Sequence, residues 1–507
     1  MTHFAFDNTY ARELPQAYVS WQPAAVGAPR LLFFNRALAD ELGLDPVALD
    51  SPKGAAIFAG NQVPDGAQPL AQAYAGHQFG GFSPQLGDGR ALLLGELVDR
   101  NGARRDIAFK GSGRTPFSRG ADGKAAVGPM LREALIGESM HALGIPTTRA
   151  LAVAATGEPV QRERRLPGAV LTRVAASHLR VGTLQYFAAQ RRLDVLRQVA
   201  DYAIARHDPA IARHDPALAG EPDRYLSLLR EVARRQASLV ARWMNVGFLH
   251  GVMNTDNMTL SGETIDYGPC AFIEAYDPRA VFSSIDTAGR YAFGNQPLIA
   301  RWNLARLAEA LLPLIAGGDD DDALRRAVED AMTVIDAFPG WYDDRWREGQ
   351  RAKLGLAGPG GAETAALADD WLALLHANAV DFTQAWCGLS AAADGDEAPL
   401  RERVGDARAL DAWLVRWRAA CAAEDAAGVG DPARRSLRMR AVNPRIIARN
   451  HQVEHALAAA SDDDDLGPFD RLLAAVRRPF DDDPALAPYA EPAPAAVTAR
   501  YRTFCGT

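Results

Sequence analysis

The chain has 507 residues, 48% apolar and 23% charged, with a formal net charge of −8; it is long enough for more than one packed unit and has the composition of an ordinary globular protein. The acidic balance excludes a dominant nucleic-acid surface, which needs a concentrated basic face. No run approaches the roughly 18 uninterrupted apolar residues of a membrane span. Residues 1–7 lack the basic-then-apolar order of a secretory leader. The four cysteines (Cys270, Cys387, Cys421, Cys505) form no CxxC pair, which excludes a zinc ribbon and a dense disulfide scaffold. A cytoplasmic monomer is expected, with no membrane or nucleic-acid partner.

Residues 1 to about 70 mix short helical pieces, such as Asn35 to Leu42, with Pro/Gly loops. From 71 to 90 the chain is glycine-rich and contains Gly87-Asp88-Gly89-Arg90. Strand-like runs follow at Ala91 to Leu97 and Asp106 to Lys110, with Asn101-Gly102 between them as a hairpin turn signal. A polar, glycine-rich segment covers 111–124. The period of Met130, Leu131, Ala134, Leu135 and Met140 then predicts a helix from about Gly128 to Leu143, stopped by Gly144. Runs at Arg149 to Ala155 and Gly168 to Val174 complete a small β-rich unit.

Beyond residue 175 the pattern turns helical, with one long helix predicted over Pro222 to Val246. Upstream of it, the heptapeptide at 204–210 recurs at once as 211–217. One tandem copy is too short for a solenoid, and its two His-Asp pairs read as a duplicated loop rather than a metal site. Short acidic runs at 319–322, 462–465 and 481–483 read as solvated loops and helix caps. From about 345 the chain is helical and arginine-rich.

The strongest chemical signal is His250-Gly251-Val252-Met253-Asn254-Thr255-Asp256-Asn257 followed by Thr264-Ile265-Asp266-Tyr267-Gly268. A long helix leads into a polar loop, and a short apolar strand is then expected to end at Asp266. This is the order of a kinase catalytic loop and its metal carboxylate. Asn257 and Asp266 would supply oxygen ligands to Mg²⁺, or Mn²⁺ in its place, bridging phosphate oxygens. Upstream, Gly87 and Gly89 let backbone N–H groups approach phosphate. Lys110 ends a strand, and Glu133 in the next helix is placed to pair with it. Only four of the 55 basic residues are lysines (Lys53, Lys110, Lys124, Lys353), so a structured lysine hints at a compact ammonium that arginine's planar fork cannot replace.

The order predicts an α+β, protein-kinase-like bilobal fold: an N-terminal extension over 1–70, a β-rich N-lobe over 71–175, a helical C-lobe with the catalytic loop over 176–345, and a helical C-terminal extension over 346–507. One departure bears on function. Five residues before Asn257, where a kinase carries its catalytic base, stands Val252, which accepts no proton. Asp256 is free to serve instead.

These residues resemble the selenoprotein O family of pseudokinases. The resemblance rests on Ala73 to Phe82, Gln85 to Arg90, Lys110 to Arg119, Asp122-Gly123, Leu131-Arg132-Glu133, Thr172 to Ala175 with His178 to Gly182, His250 to Phe272, and Asn443-Pro444-Arg445 with Arg449-Asn450. It implies a kinase-like fold that binds ATP in a flipped orientation and transfers AMP to Ser, Thr or Tyr hydroxyls of proteins, releasing pyrophosphate. Residue by residue, it implies nucleotide contacts from Gly87, Gly89, Arg90, Asp122 and Gly123. It further implies phosphate contacts from Lys110 (paired with Glu133), Arg173 and Arg180, a proton acceptor in Asp256, and metal ligands in Asn257 and Asp266. Cys505 resembles the family's C-terminal selenocysteine position, and a redox disulfide with Cys270 is a hypothesis from that likeness. Transfer of another nucleotide such as UMP, conventional phosphoryl transfer, and an inactive nucleotide-binding scaffold remain the alternatives.

Overall fold

In the computed structural model the described residues are 4–214, 223–318 and 320–504. They form a mixed α/β protein whose N-terminal part is built on a β-sheet and whose C-terminal part is helical. Ten strands precede the helical part: β1 (Tyr18–Ser20), β2 (Arg30–Phe34), β3 (Leu70–Gln72), β4 (Gly76–Gln78), β5 (Gly81–Ser83), β6 (Ala91–Val98), β7 (Arg104–Lys110), β8 (Ala125–Ala126), β9 (Arg149–Gln161) and β10 (Arg165–Ala175). The main sheet runs β1-β3-β6-β7-β10-β9-β2, with β8 added to β10, and its pairings are antiparallel. β4 and β5 form a separate hairpin.

Register places the chemistry. Lys110 on β7 lies opposite Leu171 on β10, and Ala108 lies opposite Arg173. Directly paired residues and residues two apart share a face, so Lys110 and Arg173 project together, toward the helix Val127–Ala142. That helix packs on β9 and β10 and buries Met130, Leu131, Ala134, Leu135 and Met140. On the opposite sheet face, Leu94, Leu97, Ile107, Phe109, Leu151 and Val170 form a second core with Leu38, Leu49, Ile57 and Phe58 from the N-terminal helices.

The helical part centres on Asp223–Val246, Gln296–Ala316 and Asp321–Lys353. The chain leaves the first of these through Phe248–Leu249, which pairs with Ala271–Phe272, and the polar loop 250–270 hangs between the two short strands. Two expectations change. No regular strand precedes Asp266: Thr259 and Thr264 make only single bridges, to Arg180 and Thr147, so the segment is held by isolated contacts with the sheet part rather than by a ladder. The first heptapeptide copy is not a loop but ends the helix Leu193–His207, because Ile204 is buried on its inner face. Residues 209–214 of the repeat continue as a short helix, and 215–217 lie outside the described residues. Acidic-run residues do act as caps where described, as Asp320 accepts from the Ala323 N–H at 2.7 Å. Among the described residues, no helix is long and apolar enough to cross a membrane.

The last third braces the loop from behind. Asn450 bonds both the N–H and the C=O of Phe272, at 3.1 and 2.8 Å. Arg449, fully buried, donates to Glu274 at 2.5 Å, to both oxygens of Asp381 at 2.7 and 3.0 Å, and to the Ala490 carbonyl at 3.1 Å. Removing one partner of such a network strands buried charge. Arg449→Ala is therefore expected to cost about 3–5 kcal/mol, read as a lower urea midpoint at pH 7.5. Arg449→Lys should recover only part, since an ammonium cannot span both carboxylates and the carbonyl.

Candidate active site

A cavity of about 480 Å³ opens between the sheet part and loop 250–270. All twelve nucleotide-, metal- or proton-handling residues named from the sequence line it: Gly87, Gly89, Arg90, Lys110, Asp122, Gly123, Glu133, Arg173, Arg180, Asp256, Asn257 and Asp266.

Its lining includes a charge cluster. Lys110 donates to Glu133 Oε1 at 2.7 Å and is ion-paired with Asp266 Oδ1. Arg173 donates to the same Asp266 oxygen at 2.9 Å. Glu133 Oε1 also accepts the Tyr267 N–H at 3.0 Å, so the helix glutamate fixes the residue after Asp266 as well as the lysine. Asp266 sits at φ +66°, a left-handed conformation that costs a non-glycine residue about 1 kcal/mol or more. Burial alone would raise its carboxyl, but Lys110, Arg173 and Arg180 hold it well below the usual carboxylate range. Arg173 Nε donates to His178 Nε2 at 3.2 Å, and His178 Nδ1 lies 3.1 Å from Asp106. These partners assign the imidazole proton to Nδ1; burial, with Arg173 beside it, keeps the ring neutral by lowering its pKa.

Asp256 lines the same cavity from the tight turn Thr255–Asn257. Its carboxylate is buried; Oδ1 has no hydrogen-bond partner, and Oδ2 has a long contact with Gln78 at 3.4 Å. Burial pushes its pKa up to about 6. Arg180 runs behind it, donating to the Asp256 carbonyl at 3.3 Å and stacking on Tyr74 at 4.5 Å. Val252 contributes its carbonyl, which accepts from Asn257 Nδ2 at 3.0 Å. With that amide N–H₂ engaged, the side-chain oxygen of Asn257 remains as the acceptor of the group.

The glycine-rich segments work partly through packing. A Cβ on Gly87, which has φ +67°, would overlap the Phe117 ring at 2.3 Å, and one on Gly89 would meet the Phe117 carbonyl at 2.9 Å. Asp122 is occupied: it holds Arg162 through two bonds of 2.8 and 3.1 Å. Arg162, Gln78, Tyr74 and Asn254 also line the cavity, and none of them has a role assigned from the sequence. The Arg162–Asp122 pair spans a strand end and a loop 40 residues apart, so no spacing announced it. The hairpin β4–β5, which brings Gln78, was legible only as a glycine-rich stretch.

Cys270 does not line the cavity. It is buried, donates to the Tyr267 carbonyl at 3.2 Å, and burial raises its thiol to about 11. Its postulated partner Cys505 lies outside the described residues.

Comparison with known proteins gives both the class, a nucleotidyltransferase, and the family. The model of the family described as "Protein adenylyltransferase SelO" matches residues 1–477. The protein nucleotidyltransferase YdiU of Cereibacter sphaeroides (strain KD131) is 59% identical over 505 residues, covering 99% of this chain and 100% of its own. Proteins of the same name from Mycobacterium sp. (strain KMS) and Chromobacterium violaceum are 56% and 57% identical, covering 100% and 97% of this chain and all of their own. The chain belongs to the SelO family.

The burial of Asp256 has a measurable sign. Its folded-state pKa of about 6 lies above the ordinary carboxylate value, so charging it penalises the folded state progressively from about pH 4 to pH 6, and fully above that. In metal-free protein, Asp256→Asn should therefore raise stability at pH 8, by up to about 3 kcal/mol. The gain should vanish below pH 4. Urea melts at the two pH values check this; an equal gain at both would assign it to packing instead.

Proposed function

We propose that this chain is a protein adenylyltransferase with a protein-kinase-like bilobal arrangement, moving AMP from ATP onto Ser, Thr or Tyr hydroxyls of protein substrates and releasing pyrophosphate. The lobes would be residues 71–175 and 176–345, flanked by an extension over 1–70 and a helical one over 346–507, in a cytoplasmic monomer. The observation that carries the reading is the pairing of Val252 at the usual base position with a buried, underbonded Asp256 carboxylate beside Asn257.

The attacking hydroxyl would give its proton to Asp256 as its oxygen bonds to the α-phosphorus, and the bond to the bridging oxygen of pyrophosphate would break. A carboxylate titrating near 6 is ionised at neutral pH yet more basic than an exposed one, which suits a general base. Lys110, Arg173 and Arg180 would bind phosphate oxygens through charge-assisted hydrogen bonds, with Arg90, Gly87, Gly89, Asp122 and Gly123 along the nucleotide. Asn257 and Asp266 fit a hard divalent cation, because both bring oxygen donors to the cavity lining and the two cations on Asp266 share a single oxygen, with two oxygens on the group. Mg²⁺, or Mn²⁺, held there would neutralise phosphate charge.

ATP labelled at the α- or the γ-phosphate tests the reading. Protein label is expected from the α position alone, and γ label would overturn it in favour of a kinase; α-labelled UTP run in parallel measures the base preference. Asp256→Ala should lower transfer roughly 10²–10⁴-fold while sparing ATP affinity. Asp266→Ala should also weaken Mg²⁺-dependent ATP binding, measured by calorimetry with and without EDTA.

A further inference from the structure

The hairpin β4–β5 lies directly on the loop that carries Asp256. The His77 N–H donates to Thr255 Oγ1 at 2.7 Å and the Phe79 N–H to Asn254 Oδ1 at 3.1 Å. A Cβ on Gly76 would come within 2.6 Å of Asp256 Oδ1. Phe79 lines the cavity and is 40% exposed, and Phe82 across the hairpin is 43% exposed. An acceptor segment on this side of the cavity would meet Phe79.

Beside the hairpin lies a cationic group that the reaction at Asp256 leaves unused. The guanidinium groups of Arg290 and Arg306 both stack on the Trp302 ring, at 4.7 and 4.9 Å from its centre. Trp302 meets His77 edge-on at 5.3 Å, and His77 packs on Phe82 at 4.8 Å, so rings connect the arginines to the rim. Arg290 also adjoins the hairpin tip: a Cβ on Gly80 would lie 3.7 Å from its guanidinium carbon. Its neighbour Tyr291 donates to Asn254 Oδ1 at 2.6 Å. Among the described residues Arg290 has no ion-pair partner, while Arg306 has only Glu309 at 2.6 Å. Asp286, the acid nearest in sequence, is buried and accepts the N–H groups of Arg290 and Tyr291 at 2.9 and 2.8 Å. The Nε atoms of both arginines are buried without a hydrogen-bond partner. Two guanidinium groups on one indole, with a single surface carboxylate to offset them, leave a local positive field on a chain whose net charge is −8.

We propose that Arg290, Trp302 and Arg306 form a recognition site for an acidic side chain of the acceptor protein, flanking the hydroxyl residue, with Phe79 and Phe82 taking an adjacent apolar side chain. The inference rests on hydroxyl transfer at Asp256 and specifies its substrate. The patch is two cations wide and bordered by aromatic rings, which suits one or two carboxylates on a peptide segment and is too small for an extended polyanion.

The test uses the Mg²⁺-loaded enzyme, α-labelled ATP and a set of serine peptides in which each flanking position in turn carries Glu or Lys. The wild type is expected to favour Glu at one or more flanking positions by roughly tenfold in kcat/KM, as a partly desolvated charge pair gives. Arg290→Glu and Arg306→Glu should abolish or reverse that preference with ATP affinity and melting temperature unchanged, and Arg290→Lys should retain part of it. Equal labelling of Glu and Lys peptides by the wild type, or a preference that survives both charge reversals, overturns the proposal while leaving transfer at Asp256 standing. If no α label reaches any peptide or protein, the adenylyltransferase reading fails first and this inference with it.

Discussion

The contact on which the cavity depends is the meeting of Lys110 and Arg173 with Asp266. Two cations reach from adjacent strands and a carboxylate from a loop more than 90 residues further along the chain, with Glu133 closing the group. Two positive and two negative charges leave the cluster neutral. In a buried setting each member needs the others, because an unpaired charge there carries a large desolvation cost. The same bonds hold Asp266 in a left-handed conformation that the chain would not otherwise choose. Sheet, helix and loop are joined by electrostatics at the point where phosphate charge would arrive.

Asp256 follows the opposite logic. Its carboxylate is buried with one oxygen unbonded, and the nearby arginine spends a hydrogen bond on the Asp256 carbonyl rather than on the carboxylate. That arrangement destabilises the fold at neutral pH and keeps the group basic. Such a cost persists where the surrounding structure determines the position, as the hairpin pressing on Thr255 and the turn Thr255–Asn257 do here.

The helical last third offered no chemical motif, yet it touches the site at one remove. Asn450 closes both backbone groups of Phe272, and Arg132, the residue before Glu133 on the same helix, donates to the carbonyls of Tyr267, Gly268 and Cys270 at 3.2, 3.0 and 2.5 Å. Glu454 in turn accepts from Arg132 at 3.2 Å. The loop after Asp266 is therefore gripped from both sides, and its short paired strands do not have to hold it alone.

Much of this was written locally in the chain. Alternating and helical apolar periods located β6, β7, the helix Val127–Ala142 and the helix Asp223–Val246 to within a few residues, because burial of one face leaves a regular trace. The polar run 250–257 and Asp266 stood out because their side chains have no other use in that order. Tertiary structure alone decided the rest: the bond from Arg162 to Asp122, the neutral His178 behind Arg173, the hairpin over Asp256, and the arginines on Trp302. Apart from Arg306, which stands one helical turn after Trp302, each joins residues whose separation along the chain carries no period, so only the folded backbone brings their charges and rings within reach.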